Sequence, residues 1–441
     1  MKTKSIFAAM VALCLLAGCN KEDNPNGPVP DGTKTYAAFT VKVNTLGVTR
    51  ADGDGNAVEA EQKIAKLDLF IFSGGVLETT GSVTLDNNNT GTTTLQTTTG
   101  TKDIIAVANP TGEMTAAVGS TQKAFEEKVI ATTSGDNSTI AVENKFVMVG
   151  KKGDAVITQQ DEAGAKSNPV AITVTRATAK VQMKYKDVPV AEKVAATFGD
   201  PRFTLAQGNT KMFIYRAEGA VTPSGNSADQ ADANPKDGTY DHLTPLKTED
   251  YADADFKVAE TDYNHTFAGS CYTAENVNQA PNTGNSTFVL IRLKCTPATI
   301  ENAGSLTGGT FFMAVKYKTN AHKEVDSYEY KYFASKSAAD SWITTNHSGD
   351  DTWASAEYKN GNCYYRLNIR DIRETDVPKR YSVLRNNYYK VNITQIDDMG
   401  SNTPGGLVPE DPETPLETST HISASITIEA WTTVDMNEPL G

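Results

Sequence analysis

Long apolar runs are scarce in this 441-residue sequence. Beyond Leu16 none is long enough to span a bilayer, so any membrane attachment has to come from the extreme N-terminus. Basic residues are in deficit, with 41 Lys and Arg against 54 Asp and Glu, and a net charge of −13 with a pI near 5.0 argues against nucleic acid as a partner. Histidine is rare, and His242, His265, His322, His347 and His421 stand without metal-ligand spacing. No HExxH, GxSxG or phosphate-binding glycine loop occurs, so the sequence offers no catalytic constellation, no cofactor site and no metal site. Cysteine is scarce too. Cys14 and Cys19 belong to the leader, and the remaining Cys271, Cys295 and Cys363 cannot all pair within one chain. Cys271 and Cys295 flank strand-like segments and are open either to a bridge or to two unpaired core thiols.

What is present begins with an address. Lys2 and Lys4 precede an apolar run from Ile6 to Leu16, too short for a membrane span and closed by small residues, the pattern of a signal peptide. Leu16-Ala17-Gly18-Cys19 resembles the lipobox of bacterial lipoproteins, which implies cleavage before Cys19 and acyl chains on that cysteine. Each buried methylene adds about 0.8 kcal/mol of membrane affinity, so more than one chain anchors durably. Asn20-Lys21-Glu22-Asp23 is similar to the export signal of surface lipoproteins in Bacteroidetes-type bacteria, which implies a precursor held at the outer membrane and facing outward.

Residues 24–33 form a Pro/Gly/Asn linker, and Tyr36 to Val43 then alternates cleanly. Ala37, Phe39, Val41 and Val43 point one way and Tyr36, Ala38, Thr40 and Lys42 the other, as in a half-buried strand. Thr49-Arg50-Ala51 runs into Asp52-Gly53-Asp54-Gly55-Asn56, a polar glycine-rich tract of the kind in which proteolysis concentrates. As a calcium loop this tract fails, because Ala57 replaces the required glycine and Lys63 the bidentate glutamate. Arg50 is the only basic residue between Lys42 and Lys63, which makes the bond between Arg50 and Ala51 a candidate processing site. Cleavage there removes six basic residues (Lys2, Lys4, Lys21, Lys34, Lys42, Arg50) and three acidic ones (Glu22, Asp23, Asp31), taking the net charge from −13 to −16.

From Ile64 onward the spacing predicts short strands at Ala65 to Phe72, Asp103 to Ala108, Phe146 to Val149 and Ala171 to Tyr185, with Thr92 to Thr99 as an edge strand or loop. Only Thr121 to Ala131 reads as a helix. A second series covers Phe203 to Leu205, Met212 to Tyr215, Phe288 to Leu293, Phe311 to Tyr317, Tyr328 to Phe333, Cys363 to Ile369, Tyr388 to Ile396 and Ile422 to Ala430. Asn360-Gly361 between Trp353 to Lys359 and Asn362 to Ile369 predicts a hairpin whose two central residues have positive φ. Gly225 to Asp262 is acidic and poor in aliphatics, a long surface insertion. Strands at this density with polar turns indicate an all-β fold of sandwich or barrel type with few short helices.

The C-terminus repeats the pattern of the first strand. Ile422, Ala424, Ile426, Ile428 and Ala430 alternate with His421, Ser423, Ser425, Thr427 and Glu429, behind an extended Pro-rich tether at residues 401–420. Trp431 follows as a candidate plug for the end of a groove. Removing a strand near the N-terminus leaves unpaired backbone groups, each costing about 1–3 kcal/mol when buried, and an apolar trough that a second strand of this pattern fills. The alternatives are that residues 422–430 form the last strand of their own domain, and that Trp342, Trp353 and Trp431 form glycan-stacking platforms.

Several segments carry a resemblance in a fixed order. They are Ile104-Ile105-Ala106-Val107-Ala108-Asn109-Pro110, Phe146-Val147-Met148-Val149-Gly150, Arg176-Ala177-Thr178-Ala179-Lys180-Val181, Tyr272-Thr273-Ala274-Glu275-Asn276, Tyr364-Tyr365-Arg366-Leu367-Asn368-Ile369 and Val383-Leu384-Arg385-Asn386-Asn387-Tyr388-Tyr389-Lys390-Val391. With the lipobox and Arg50 they resemble the FimA-like major fimbrial subunits (type V pilins) of Bacteroidetes-type bacteria. The resemblance implies two tandem transthyretin-like β-sandwich domains, with a signal peptide at 1–19, a propeptide at 20–50 and sandwiches at 51–187 and 188–441. It implies cleavage after Arg50 by a trypsin-like or arginine-specific protease, and a donor-type strand at about 421–434. The implied partners are other copies of the chain, anchor and tip pilins, and an adhesion ligand on a host or bacterial surface. A stalk subunit is the first expectation and a tip adhesin the second.

Overall fold

The computed structural model describes residues 32–43, 59–84, 92–134, 137–216, 222, 243, 246, 251–263, 266–278, 280–301, 304–322, 324–371, 374–407, 414–416 and 422–430. Cys19, Arg50, Ala51 and Trp431 lie outside these residues. So does most of the acidic stretch from Gly225 to Asp262.

The first half contributes β1 (Lys34–Val43), β2 (Lys66–Ser73), β3 (Val76–Thr84), β4 (Thr92–Thr98), β5 (Gly100–Ala108), the short β6 (Val129–Ala131), β7 (Thr133–Ser134) and β8 (Asn137–Ser138), then β9 (Met148–Ile157) and β10 (Val170–Arg176). Two small helices join them, α1 (Gln122–Glu126) and α2 (Glu162–Ser167), each with an N-cap side chain, Thr121 or Asp161, accepting from a first-turn N–H. Seven strands form one sheet in the order β3-β2-β5-β9-β10-β1-β4. Central strands are apolar on both faces. Leu67, Leu69, Ile71, Ile104 and Ala106 line one core with Phe39, and Phe70, Phe72, Ile105 and Val107 line another with Phe125 of α1. The two end strands meet, since Glu78 of β3 accepts from the Thr97 and Thr98 hydroxyls of β4. The sheet is thus curled around the first of these cores.

The second half contributes β11 (Thr178–Tyr185), β12 (Ala196–Ala206), β13 (Lys211–Phe213), β14 (Lys257–Val258), β15 (Cys271–Ala274), β16 (Phe288–Pro297), β17 (Phe311–Tyr317), β18 (Val325–Phe333), β19 (Trp353–Tyr358), β20 (Asn362–Asn368), β21 (Asn387–Ile396) and β22 (Ile422–Ala430). Sheets β15-β11-β21-β22, β14-β12-β16-β20 and β18-β17-β19 share one core, built on Val181, Val289, Ile291, Met313, Tyr365, Val391 and Ile422. The outer face of β17 and β18 is covered by α3 (Lys336–Asn346) through Ala339, Trp342 and Ile343. Among the described residues no helix is long and apolar enough to cross a membrane. The architecture is all-β, and its few helices are short.

Several sequence expectations are corrected here. The segment from Ala171 to Tyr185 is two strands, not one: the chain leaves the first sheet at Arg176 and enters the second at Thr178. At the pivot, Ala177 is buried and donates its N–H to Val147 O at 2.9 Å. Strand β11 ends at Tyr185, two residues before Asp187, the expected last residue of the first sandwich. The strand expected at Phe146 starts at Met148 and runs to Ile157. The helix expected over Thr121 to Ala131 spans only α1, and residues Val129–Ala131 are a strand paired with β13. Helix α3 was not expected at all, because its Ser, Thr, Ile and Trp residues are weak helix formers whose packing on β17 and β18 decides the conformation. The acidic insertion is in part packed, with Leu243 and Phe256 buried and Asp253 2.7 Å from the buried Arg292. Cys271, Cys295 and Cys363 are buried free thiols.

The Asn360-Gly361 turn has positive φ at both positions, 53° and 73°, as expected. It does not close a hairpin. β19 pairs with β17 and β20 with β16, so the turn carries the chain from one sheet to another. A Cβ on Gly361 would stand 2.7 Å from the Cys295 carbonyl oxygen. Gly361→Ala is therefore expected to cost about 2 kcal/mol, from the left-handed backbone and the close approach together. Urea unfolding should show a lower midpoint with an unchanged slope.

Candidate strand-exchange groove and its anchors

Strand β1 reads KTYAAFTVKV, and its period-two pattern sets Ala37 and Phe39 fully inside the first core, with Val41 and Val43 packed against its rim. It is an inner strand. On one edge it runs parallel to β10, with Phe39 opposite Val170 and Val43 opposite Val174. On the other it runs antiparallel to β4, with Lys34 opposite Thr98 and Thr40 opposite Thr92. Its start is fastened further: Gly32 N–H donates to Thr99 O at 3.0 Å, and Thr99 N–H to Thr33 O at 2.7 Å. The buried Thr35 hydroxyl lies 3.0 Å from the Gln160 carbonyl and accepts from Gln160 N–H at 2.8 Å. Taking this strand away would strip ladder partners from both neighbours and empty the space filled by Phe39, whose loss to alanine alone is worth about 3–5 kcal/mol.

Strand β22 is held differently. It pairs antiparallel with β21 alone, Ala424 opposite Ile393 and Ile426 opposite Val391, at the end of its sheet. Ile422 is fully buried, Ala424 and Ile426 are half-buried against the second core, and Ser423, Ser425 and Thr427 are exposed. Ile428 and Ala430 face the Tyr389 and Asn387 positions of β21 in register. Two side-chain ties add to the ladder, Glu429 with Lys390 at 3.3 Å and Ser423 donating to Asp397 at 2.5 Å.

Sequence reasoning missed a buried polar cluster where the two halves join. Glu61, eleven positions after Arg50, is fully buried and 2.8 Å from Lys180 of β11. The Tyr272 hydroxyl donates to the same carboxylate at 2.5 Å, and Arg176 Nε donates to the Glu61 carbonyl at 2.9 Å. Burial drives the Arg176 guanidinium down to about 10 and the Lys180 ammonium down as well, with Glu61 opposing both; burial, then Glu61, pushes the Tyr272 phenol up. Nothing in the residue pattern around Glu61 marks it. Its partners lie more than a hundred positions away and converge only in the fold.

A second buried carboxylate, Glu275, is gripped by Arg385 and by Arg216 Nε at 2.9 Å, while Arg385 also donates to the Phe213 and Ile214 carbonyls. Burial alone would raise the Glu275 carboxyl, yet the Arg385 and Arg216 guanidiniums win and hold it below its ordinary 4.5.

Trp342 and Trp353 do not present free faces side by side. His347 lies between them, stacked on Trp353 with ring centres 3.8 Å apart, and Trp342 leans on Phe333. An open cavity of about 460 Å³ runs along α3 beside Trp342, but its Ser341, Thr345 and Asn346 side chains donate to the helix's own carbonyls. Among the described residues no group of three or more His, Cys, Asp or Glu side chains is placed to hold a metal ion.

The comparisons with known proteins follow this architecture. The family model described as Major fimbrial subunit protein (FimA) matches residues 37–176, from within β1 to the last residue before the pivot at Ala177. The model described as Major fimbrial subunit protein type IV, Fimbrillin, C-terminal, matches residues 356–437, from β19 through β22. The Minor fimbrium subunit Mfa1 of Porphyromonas gingivalis is 26% identical over 470 aligned positions, covering 94% of this chain and 90% of that protein. The crystal structure of a fimbrilin from Porphyromonas gingivalis superposes with a TM-score of 0.52 over 91% of this chain and 99% of that one, at 18% identity, a shared fold.

Glu275 supplies a pH test of the junction. Its folded-state pKa is depressed, so its contribution is present above 4.5 and is lost as pH falls through the folded value. Arg385→Gln should cost about 3 kcal/mol near neutral pH. The deficit relative to wild type should shrink as pH is lowered from neutral through the acid range below 4.5, because a protonated carboxyl no longer needs the cation, and urea titrations across that range measure it.

Proposed function

The chain belongs to the FimA-like fimbrial subunits of the bacterial cell surface, and from that premise we propose that it is a stalk subunit that polymerises by exchanging its C-terminal strand for β1 of a neighbour. The precursor is exported as a lipoprotein on Cys19 and cut between Arg50 and Ala51 by an arginine-specific protease, which releases residues 20–50 with β1 inside them. The observation that carries this reading is the contrast in strand position. The segment ahead of Arg50 supplies an inner strand with two neighbours, whereas the segment at the other end supplies an end strand with one.

That contrast provides a driving force. In its own domain β22 makes one ladder, and in the emptied groove it makes two, each additional backbone hydrogen bond contributing about 0.5–1.5 kcal/mol net. The side-chain patterns fit as well. Laid in the direction of β1, the donor sets Ala424 at the place of Ala37 and Ile426 at that of Phe39; reversed, it sets Ala430 and Ile428 there. In both directions Ile426 enters the core. Trp431 follows as a plug at the groove's end, the two sandwich domains cover residues 51–187 and 188–441, and anchor and tip pilins complete the fibre. A tip position for this chain is the second reading, and no catalytic role is assigned.

Limited trypsin treatment of the precursor should cut after Arg50 and yield ladders that survive mild heating in detergent, while the Arg50→Ala precursor stays monomeric. A trimmed chain that remains a stable monomer overturns the polymer reading, and retention on a carbohydrate affinity gel would favour a glycan-binding surface protein. Ile426→Asp should leave the chain able to accept a strand but lower its donation roughly a hundredfold, because an unpaired carboxylate would enter the groove. Mixing trimmed variant and wild-type chains and sizing the products separates the two abilities.

A further inference from the structure

Strand β4 poses a problem for any groove left by β1. Among the described residues its one ladder partner is β1, so the wall opposite β10 loses its sheet when β1 departs. Its other edge meets β3 through side chains. Glu78 of β3 accepts from Thr97 Oγ1 at 2.9 Å and from Thr98 Oγ1 at 3.1 Å. Lys102 of β5, only 2% exposed, donates to Glu78 at 2.7 Å, to Thr98 Oγ1 at 2.7 Å and to Ser73 Oγ at 3.0 Å, so all three of its N–H bonds are used.

The anchors of this cluster do not depend on β1. Glu78 sits on β3, which pairs with β2, and Lys102 on β5, which pairs with β2 and β9. The atoms they hold do belong to the groove: Thr97 and Thr98 are the ladder partners of Thr35 and Lys34. Elsewhere β4 has weaker support, an exposed bond from Thr94 to Glu162 of α2 and the packing of Leu95 over Gly81, where a Cβ would stand 2.2 Å from Leu95 Cδ2. Burial would raise the Glu78 carboxyl, but Lys102 and the two threonines hold it below its ordinary value, so the group is charged at neutral pH.

We propose that Glu78 and Lys102 form a clamp that keeps β4 standing as the far wall of the groove after β1 has gone, making it a second copy's strand acceptor. The proposal rests on the strand-exchange reading and assigns these residues a positioning role in acceptance only. Thr97→Val/Thr98→Val keeps the ion pair and cuts its hold on β4. In the untrimmed full chain this variant should still fold with β4 in place, since β1 still pairs with β4, its urea midpoint lowered by the acceptor that the buried Lys102 loses. After trypsin trimming, it should assemble about tenfold more slowly than trimmed wild type, the scale of one hydrogen bond to a charged group. Untrimmed variant chains, which have filled grooves and unaltered C-terminal strands, should cap trimmed wild-type ladders as well as untrimmed wild-type chains do. Should the double variant fail to fold, Thr98→Val alone is compared in the same way. Equal assembly rates for variant and wild type overturn the clamp, as does an equal loss of acceptance and donation. A trimmed wild type that forms no ladders overturns the strand-exchange reading itself, and the clamp with it.

Discussion

Strand β1 carries the ladder that joins β10 to β4, and the continuity of the seven-stranded sheet depends on it. A backbone segment in that position has both rows of N–H and C=O groups committed, and its inward side chains fill a core that curls around them. Phe39 has no exposed surface there. Strand β22 has the same alternation but only one committed edge. The two strands therefore differ less in sequence than in what their surroundings require of them.

The junction between the halves imposes a second constraint. Arg176, Lys180 and Glu61 are buried charges, which are costly unless paired, and here the carboxylate of Glu61 meets Lys180 while its backbone carbonyl takes Arg176 Nε. These contacts fasten the residues just ahead of β2 from β10 and β11, not from β1. The start of β2 thus has an anchor that does not pass through the strand before it. Ala177, between the two basic residues, is where consecutive strands β10 and β11 part into different sheets, each to make a parallel pair: β10 with β1 and β11 with β21.

Much of this was legible locally. The alternation of Ala37, Phe39, Val41 and Val43, and that of Ile422, Ala424 and Ile426, read correctly as inward faces because side-chain direction in a strand has a period of two whatever the strand pairs with. The positive φ of Asn360 and Gly361 was equally visible in residue chemistry. Their turn reads as a hairpin because a tight turn between strands usually joins neighbours, yet β19 and β20 pair with β17 and β16, strands from earlier in the sequence that lie in different sheets. Helix α3 escaped for the opposite reason: its second half, Ser341 to Asn346, is made of weak helix formers, and packing on the apolar face of β17 and β18 holds it.

Sequence by itself determined the all-β character, the apolar face of each terminal strand, the small-residue turns and the order of segments shared with fimbrial subunits, because each is encoded within a few neighbouring residues. Only the tertiary structure decided that β1 is an inner strand and β22 an end strand, that Glu61 meets Lys180, and that Glu78 and Lys102 grip β4. Those facts concern which edges and charges meet across long stretches of chain, and strand pairing is made by backbone groups that every residue carries, so no local pattern can announce the partner.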